Sequence, residues 1–168
     1  MGKEGAIWRH GDSKDSLDRF TAGEEFGVWF LSNPVTGTCI DESWRSEANI
    51  ISWRYAVLES DKADPDLWLR MLVQLRLPIS AIYTSGGKSI HALIRVNADS
   101  KADWDQWATK GNPNLAQHLV PLGADPKCLS AVRLTRLPGC YRGEKKKLQK
   151  LLYLNTDPIS EPIFKRIL

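Results

Sequence analysis

Between Arg54 and Leu137 the chain switches repeatedly between strand-like and helix-like hydrophobic spacing, and this punctuation constrains the fold more than any other feature. WRYAVLESD is rich in β-forming residues and stops at an Asp-Lys-Ala-Asp-Pro turn, which predicts a strand over Arg54 to Asp61. Asp64 is then a natural N-cap with Pro65 at the first helical position. Leu67, Met71, Leu72 and Leu75 follow at helical spacing, so a helix is predicted that ends before Pro78. Ile79 to Thr84 reads as a second strand entering the turn Ser85-Gly86-Gly87-Lys88, and Ser89 to Val96 as a third. Ser100 with Asp103 forms a capping-box pattern for a helix through Trp104 and Trp107. Asn112-Pro113 opens another helical turn carrying Leu115, Leu119 and Leu122 to Gly123. Ala131 to Leu137 supplies a fourth strand before Pro138-Gly139, and residues 148 to 154 a last one.

The order β-α-β-β-α-β makes this an α+β chain on the ferredoxin-like plan. That plan sets the first and third strands side by side at the sheet centre, with the fourth on the other edge of the first. Residues 1–53 begin with a polar stretch and carry the apolar patch Phe26 to Leu31, for which one or two strands are expected. Trp68, Trp104 and Trp107 fall in helical patterns and are assigned to the core. Lys145-Lys146-Lys147 reads as a solvated turn.

At 168 residues the chain is one domain or two small modules sharing a core, and its 42% hydrophobic and 26% charged content excludes a disordered chain. No stretch approaches a membrane span of about 18 apolar residues. The N-terminal MGKEGAIWRHGDSKDS does not resemble a secretion signal, so the cytoplasm is the expected location and no membrane partner is expected. Three cysteines, Cys39, Cys128 and Cys140, without a C-x-x-C pair argue against a disulfide framework or a zinc ribbon and fit a reducing compartment. The net charge of +3 permits nucleic-acid binding without demanding it.

The chemistry comes from strand parity, since side chains at i and i+2 share a face. In the third strand Ile90, Ala92, Ile94 and Val96 form an apolar row toward the helices, leaving Ser89, His91, Leu93 and Arg95 on the open face. In the first, Ala56 and Leu58 turn inward, so Tyr55, Val57, Glu59 and Asp61 share the opposite face. Antiparallel pairing of these strands sets Glu59 and Asp61 beside Ser89 and His91, and the start of the fourth strand returns Asp125 to the same end. Two carboxylates about 7 Å apart repel by roughly 2.4 kcal/mol at an effective dielectric near 20, so a cation is expected to offset them. Hard oxygen ligands select Mg²⁺ or Mn²⁺ over zinc. Lys88, His91, Arg95, Arg133 and Arg136 surround this centre as donors suited to phosphate, a combination that suggests nucleotidyl transfer. Each element alone is ordinary: a polar strand end, a tolerated sheet histidine, a common turn without P-loop spacing, surface arginines. Their joint order carries the weight.

LESD, SGGKSIHALIRV and D-x(7)-RLTRLPG resemble the three motifs of the archaeo-eukaryotic primase superfamily, over residues 54 to 156. The resemblance implies a primase-polymerase core: an RRM-like catalytic unit at 54–156 packed with an N-terminal α/β module at 1–53, followed by a tail at 157–168. It implies that Glu59, Asp61 and Asp125 are the catalytic carboxylates holding two Mg²⁺ or Mn²⁺ ions. Ser89 and His91 would contact the incoming nucleotide's phosphates, with Arg133, Lys88 and Arg136 as further phosphate ligands. The implied partners are a DNA template and primer, an NTP or dNTP, and a helicase or accessory replication protein, since no zinc module or helicase domain is present in this sequence. Arg45, Glu47 and Asn49 in SWRSEANI are candidates for the cleft, with a solvated loop as the alternative reading.

The first motif acid is Glu rather than the commoner Asp, and parity sets Arg133 and Thr135 on one face with Arg136 on the other unless a bulge intervenes. A second reading is a non-catalytic DNA-binding or replication-initiation module of a plasmid or phage on the same fold. Against it, the open face offers only Tyr55 as a stacking aromatic on these two strands. A metal-dependent nuclease ranks third, because His10 and His118 lie outside the predicted site.

Overall fold

The computed structural model describes residues 27–75 and 77–156. The polar start with His10, Phe26 of the apolar patch and the tail from 157 to 168 lie outside the described residues. The architecture is α+β, with antiparallel sheets and short helices. The main sheet has four strands in the order β2 (Trp53–Glu59), β4 (Ile90–Ala98), β3 (Ile79–Thr84) and β8 (Leu151–Leu154). As parity requires, β2 and β4 are antiparallel neighbours, with Tyr55 opposite Arg95 and Glu59 opposite His91.

One face of this sheet is the core. Ile90, Ala92, Ile94 and Val96 of β4 and Ala56 and Leu58 of β2 pack against α1 (Pro65–Gln74), α2 (Lys101–Asp105) and α3 (Leu115–Leu119). Asp64 caps α1 by accepting from the amides of Asp66 and Leu67, and Pro65 follows it at a position whose missing N–H costs no helical bond. Ser100 caps α2, which continues as a π-turn over Gln106–Lys110. Trp68, Trp104 and Trp107 are all core residues, with Trp68 Nε1 donating to the Ile90 carbonyl at 3.0 Å. α3 starts later than Asn112-Pro113, because Asn114 and Gln117 supply a complete capping box. Leu122 falls beyond the helix and is exposed. Lys145, Lys146 and Lys147 form an exposed turn, as expected.

The fourth strand departs from the ferredoxin-like plan. Only Leu134–Arg136 (β5) is extended, and it pairs with β1 (Trp29–Leu31) rather than with β2. The free edge of β2 is already taken. Asn33, 2% exposed, accepts from the amides of Arg54 (2.7 Å) and Tyr55 (2.9 Å) through Oδ1 and donates through Nδ2 to the carbonyls of Tyr55 and Ala131, both at 2.9 Å. Further along that edge the Asp125 amide donates to the Glu59 carbonyl at 2.9 Å, and Asp125-Pro126 opens a 3-10 turn over Pro126–Leu129. One asparagine side chain and one turn therefore do the pairing work of a strand. The displaced β5, with β1, lies instead over the Tyr83 and His91 end of the second sheet face, which is thus not open there. The last strand is split as well. Lys147–Leu148 (β7) pairs with Tyr141–Arg142 (β6), and only β8 joins the main sheet, beside β3.

Asn33→Ala would strip partners from four backbone groups at a buried edge. At about 1–3 kcal/mol for each group left unsatisfied, and with water reaching some of them, a loss of about 3 kcal/mol or more is expected. Urea denaturation should report it as a lower midpoint with an unchanged slope; an unaltered midpoint would mean that the edge is held by something else.

Candidate nucleotide and metal site

The carboxyl end of β2 and the start of β4 build the site. Glu59 is the last residue of β2 and is buried, 5% exposed, because β5 covers its face of the sheet. Its carboxylate is engaged on both oxygens: Oε2 lies 3.1 Å from His91 Nε2, and Oε1 accepts from the Arg133 guanidinium. Asp61 lies past the strand end, exposed, where it accepts the Ser89 hydroxyl at 2.6 Å. The structure thus joins three separated stretches of sequence, residues 59–61, 89–91 and 133, through direct side-chain contacts.

Other predicted residues are nearby but differently employed. Asp125 is brought to Glu59 through its backbone, while its carboxylate caps the 3-10 turn by accepting from the Lys127 amide at 3.0 Å. Lys88 is exposed at the tip of the glycine turn. Arg136 sits opposite Trp29 across the β1-β5 pair and stacks over that indole, 3.6 Å from guanidinium carbon to ring centroid. It therefore lies on the other face from Arg133 and Thr135, as alternation demands, yet its charge is felt at His91. Arg95 is turned to Tyr55, donating to its hydroxyl at 2.6 Å, and to Asn97. That contact engages the one stacking aromatic expected on these strands. Of the loop candidates, Arg45 is exposed with its charge felt at Arg133, Glu47 pairs with Lys101 at 3.2 Å, and Asn49 is wholly buried holding the Thr38 carbonyl.

The electrostatics are set by burial. Burial first, then the positive field of Arg136, hold the His91 imidazole down to about 4 against the opposing pull of Asp61. Its contact with Glu59 is therefore the hydrogen bond of a neutral ring rather than an ion pair. Burial likewise lowers Arg133, with Arg45 adding to it, and brings Arg136 down to about 10, with Arg142 contributing. Arg133 also keeps one buried guanidinium N–H, at Nε, without an acceptor. A buried orphan donor beside arginines is a place where an anion would be stabilised.

The donor set matches a hard divalent cation in kind, since Glu59, Asp61 and Asp125 offer only oxygen. As they stand, the side chains do not converge on one point: among the described residues no group of three or more His, Cys, Asp or Glu is disposed to hold a metal ion. Glu59 is held by Arg133 and His91, Asp61 by Ser89, and Asp125 by its own turn.

Three residues of the site were missed from sequence. Tyr83 is the register partner of His91 on β3, and Thr135 lies over both, its hydroxyl oxygen 2.8 Å from Tyr83 Oη and 2.9 Å from His91 Nδ1. Thr135 could have been found, because it shares the face of Arg133 at i+2. Arg142 lies against the glycine turn, its guanidinium 3.3 Å from where a side chain on Gly87 would begin, and pairs with Glu144. Only the β6-β7 hairpin brings it there, and no local pattern announced that hairpin. Compared with protein-family models, with curated proteins and with solved structures, the chain matches none of them.

Proposed function

We propose that the chain is the catalytic core of a DNA primase-polymerase, a nucleotidyltransferase that makes or extends a primer on a DNA template, built on a variant of the ferredoxin-like, RRM-like plan. The observation that carries this reading is the meeting of Glu59, Ser89-Asp61, His91 and Arg133 at one sheet end, with a buried Arg133 N–H left without an acceptor. Carboxylates alone fit many sites. Carboxylates in contact with a serine, a histidine and an arginine, all able to donate to phosphate oxygens, fit a nucleoside triphosphate.

In this reading Ser89, His91 and Arg133 hold the triphosphate, with Lys88 at the rim and Arg136 supplying positive field from behind. Asp61 and Asp125 would hold Mg²⁺ or Mn²⁺, joined by Glu59 where the triphosphate takes over Arg133 and His91. Such ions lower the cost of ionising the primer 3′-hydroxyl and of building charge on the pyrophosphate leaving group. The exposed Arg45 is placed to meet template or primer backbone, a contact that reads charge and not sequence.

The test is extension of a labelled primer on a DNA template with NTPs or dNTPs, in Mg²⁺ and in Mn²⁺. Template-directed, metal-dependent extension is expected. Retained DNA binding without extension or nucleotide binding would favour the non-catalytic module instead.

A further inference from the structure

We propose that Thr135, backed by Tyr83, is a positioning residue that fixes His91 with its ring hydrogen on Nε2, so that this nitrogen is a committed donor to the nucleotide's phosphates. The use made of that donor rests on the function proposed above; the hydrogen-bond relay itself does not.

The relay runs across the sheet. Glu59, His91 and Tyr83 occupy one row, as direct partners on β2, β4 and β3. Thr135 of β5 covers that row, and Tyr83, His91 and Thr135 are 1%, 5% and 1% exposed, so water does not reach the chain of contacts. Directions follow from donor inventory. The Glu59 carboxylate already accepts from Arg133 and can only accept, so the hydrogen in the 3.1 Å contact belongs to His91 Nε2. Nδ1 of a neutral ring is then the acceptor, and the partner 2.9 Å away is the Thr135 hydroxyl, whose single hydrogen points into it. Thr135 has none left for Tyr83, so the Tyr83 hydroxyl donates to Thr135 across 2.8 Å. Every polar atom in the row is satisfied in one arrangement only. Reversing the ring hydrogen would set Nδ1–H toward a hydroxyl with no other acceptor nearby and leave Nε2 facing a carboxylate lone pair.

A ring so held presents Nε2–H without rotation when a phosphate oxygen replaces the Glu59 carboxylate. Thr135→Val keeps the shape and removes the donor to Nδ1. The ring is then free to carry its hydrogen on either nitrogen, and the donor to phosphate is lost for part of the population. Loss of one charge-assisted hydrogen bond corresponds to about tenfold in nucleotide affinity.

The experiment uses ¹⁵N-histidine-labelled protein at neutral pH, in which the three histidines are few enough to assign. Wild type should show His91 with hydrogen on Nε2 and a bare Nδ1. Thr135→Val should show mixed or reversed protonation of the ring nitrogens and bind a dNTP with Mg²⁺ about tenfold more weakly. Thr135→Ser should restore both readouts, and Tyr83→Phe, which removes only the outer hydroxyl, should shift them less than Thr135→Val. A wild-type ring carrying its hydrogen on Nδ1 overturns the proposal whatever the variants do. So does a folded Thr135→Val protein with the wild-type ring pattern. If the ring behaves as stated while wild type binds no nucleotide, the relay stands and the polymerase reading fails.

Discussion

Asp61→Asn lowers template-directed primer extension by about a hundredfold or more, while the melting temperature stays within about 2–3 °C of wild type. The two halves of this expectation have separate origins. Asp61 is exposed beyond the end of β2, and asparagine presents a carbonyl oxygen in the same place, so the Ser89 hydroxyl keeps its acceptor and little folding energy changes. The charge does change. An amide is a far poorer ligand for Mg²⁺ than a carboxylate, and charge stabilisation by a metal supplies several kcal/mol of transition-state binding, each 1.36 kcal/mol being tenfold in rate. A loss of about 3 kcal/mol gives the figure above. Single-turnover extension by the purified variant measures it, with thermal unfolding as the control. Extension within threefold of wild type would remove Asp61 from any metal role and leave the paired carboxylates as structural.

How far such a site can be read from sequence depends on which forces place each residue. The row Ile90, Ala92, Ile94, Val96 fixed the parity of β4, and parity alone put Ser89 and His91 on the face of Glu59 and Asp61. Asp64-Pro65 and Ile79–Thr84 were equally legible, because capping chemistry and β-branched content are local signals. The failure came where a side chain substitutes for a backbone. Nothing in the residues around Asn33 announces that its amide will bond the edge of β2, some twenty residues away in sequence, and displace the fourth strand onto the other face. That one substitution explains why the face expected to be open is covered, why Glu59 is buried, and why Thr135 and Tyr83 belong to the site. The Asp125 carboxylate was placed by topology at the right end of the sheet, but the local rule that Asp before Pro caps a turn decides where its side chain points.

Burial makes Glu59 the residue whose loss costs the fold most. In Glu59→Ala the Arg133 guanidinium and the His91 Nε2–H both lose their acceptor in a region from which β5 excludes water. Breaking a fully buried pair typically costs 3–5 kcal/mol. The Arg133 side chain is 31% exposed and can turn partly to solvent, so about 2–4 kcal/mol is expected here, a fall in Tm on the order of 10 °C. The double variant Glu59→Leu with Arg133→Leu removes both charges together and should recover part of that loss, because most of the single-variant cost is the stranded partner and not the worth of the pair. Glu59→Gln sits between: it keeps an acceptor for one neighbour but weakens the bond to Arg133, and it should cost less than Glu59→Ala. All three lose extension activity, so activity cannot separate a structural from a chemical role, whereas the stability cycle can. An unchanged Tm in Glu59→Ala would show that Arg133 and His91 do not depend on this carboxylate. Glu59 would then stand free to serve a metal, and the tight Glu59–Arg133–His91 arrangement would be incidental to folding.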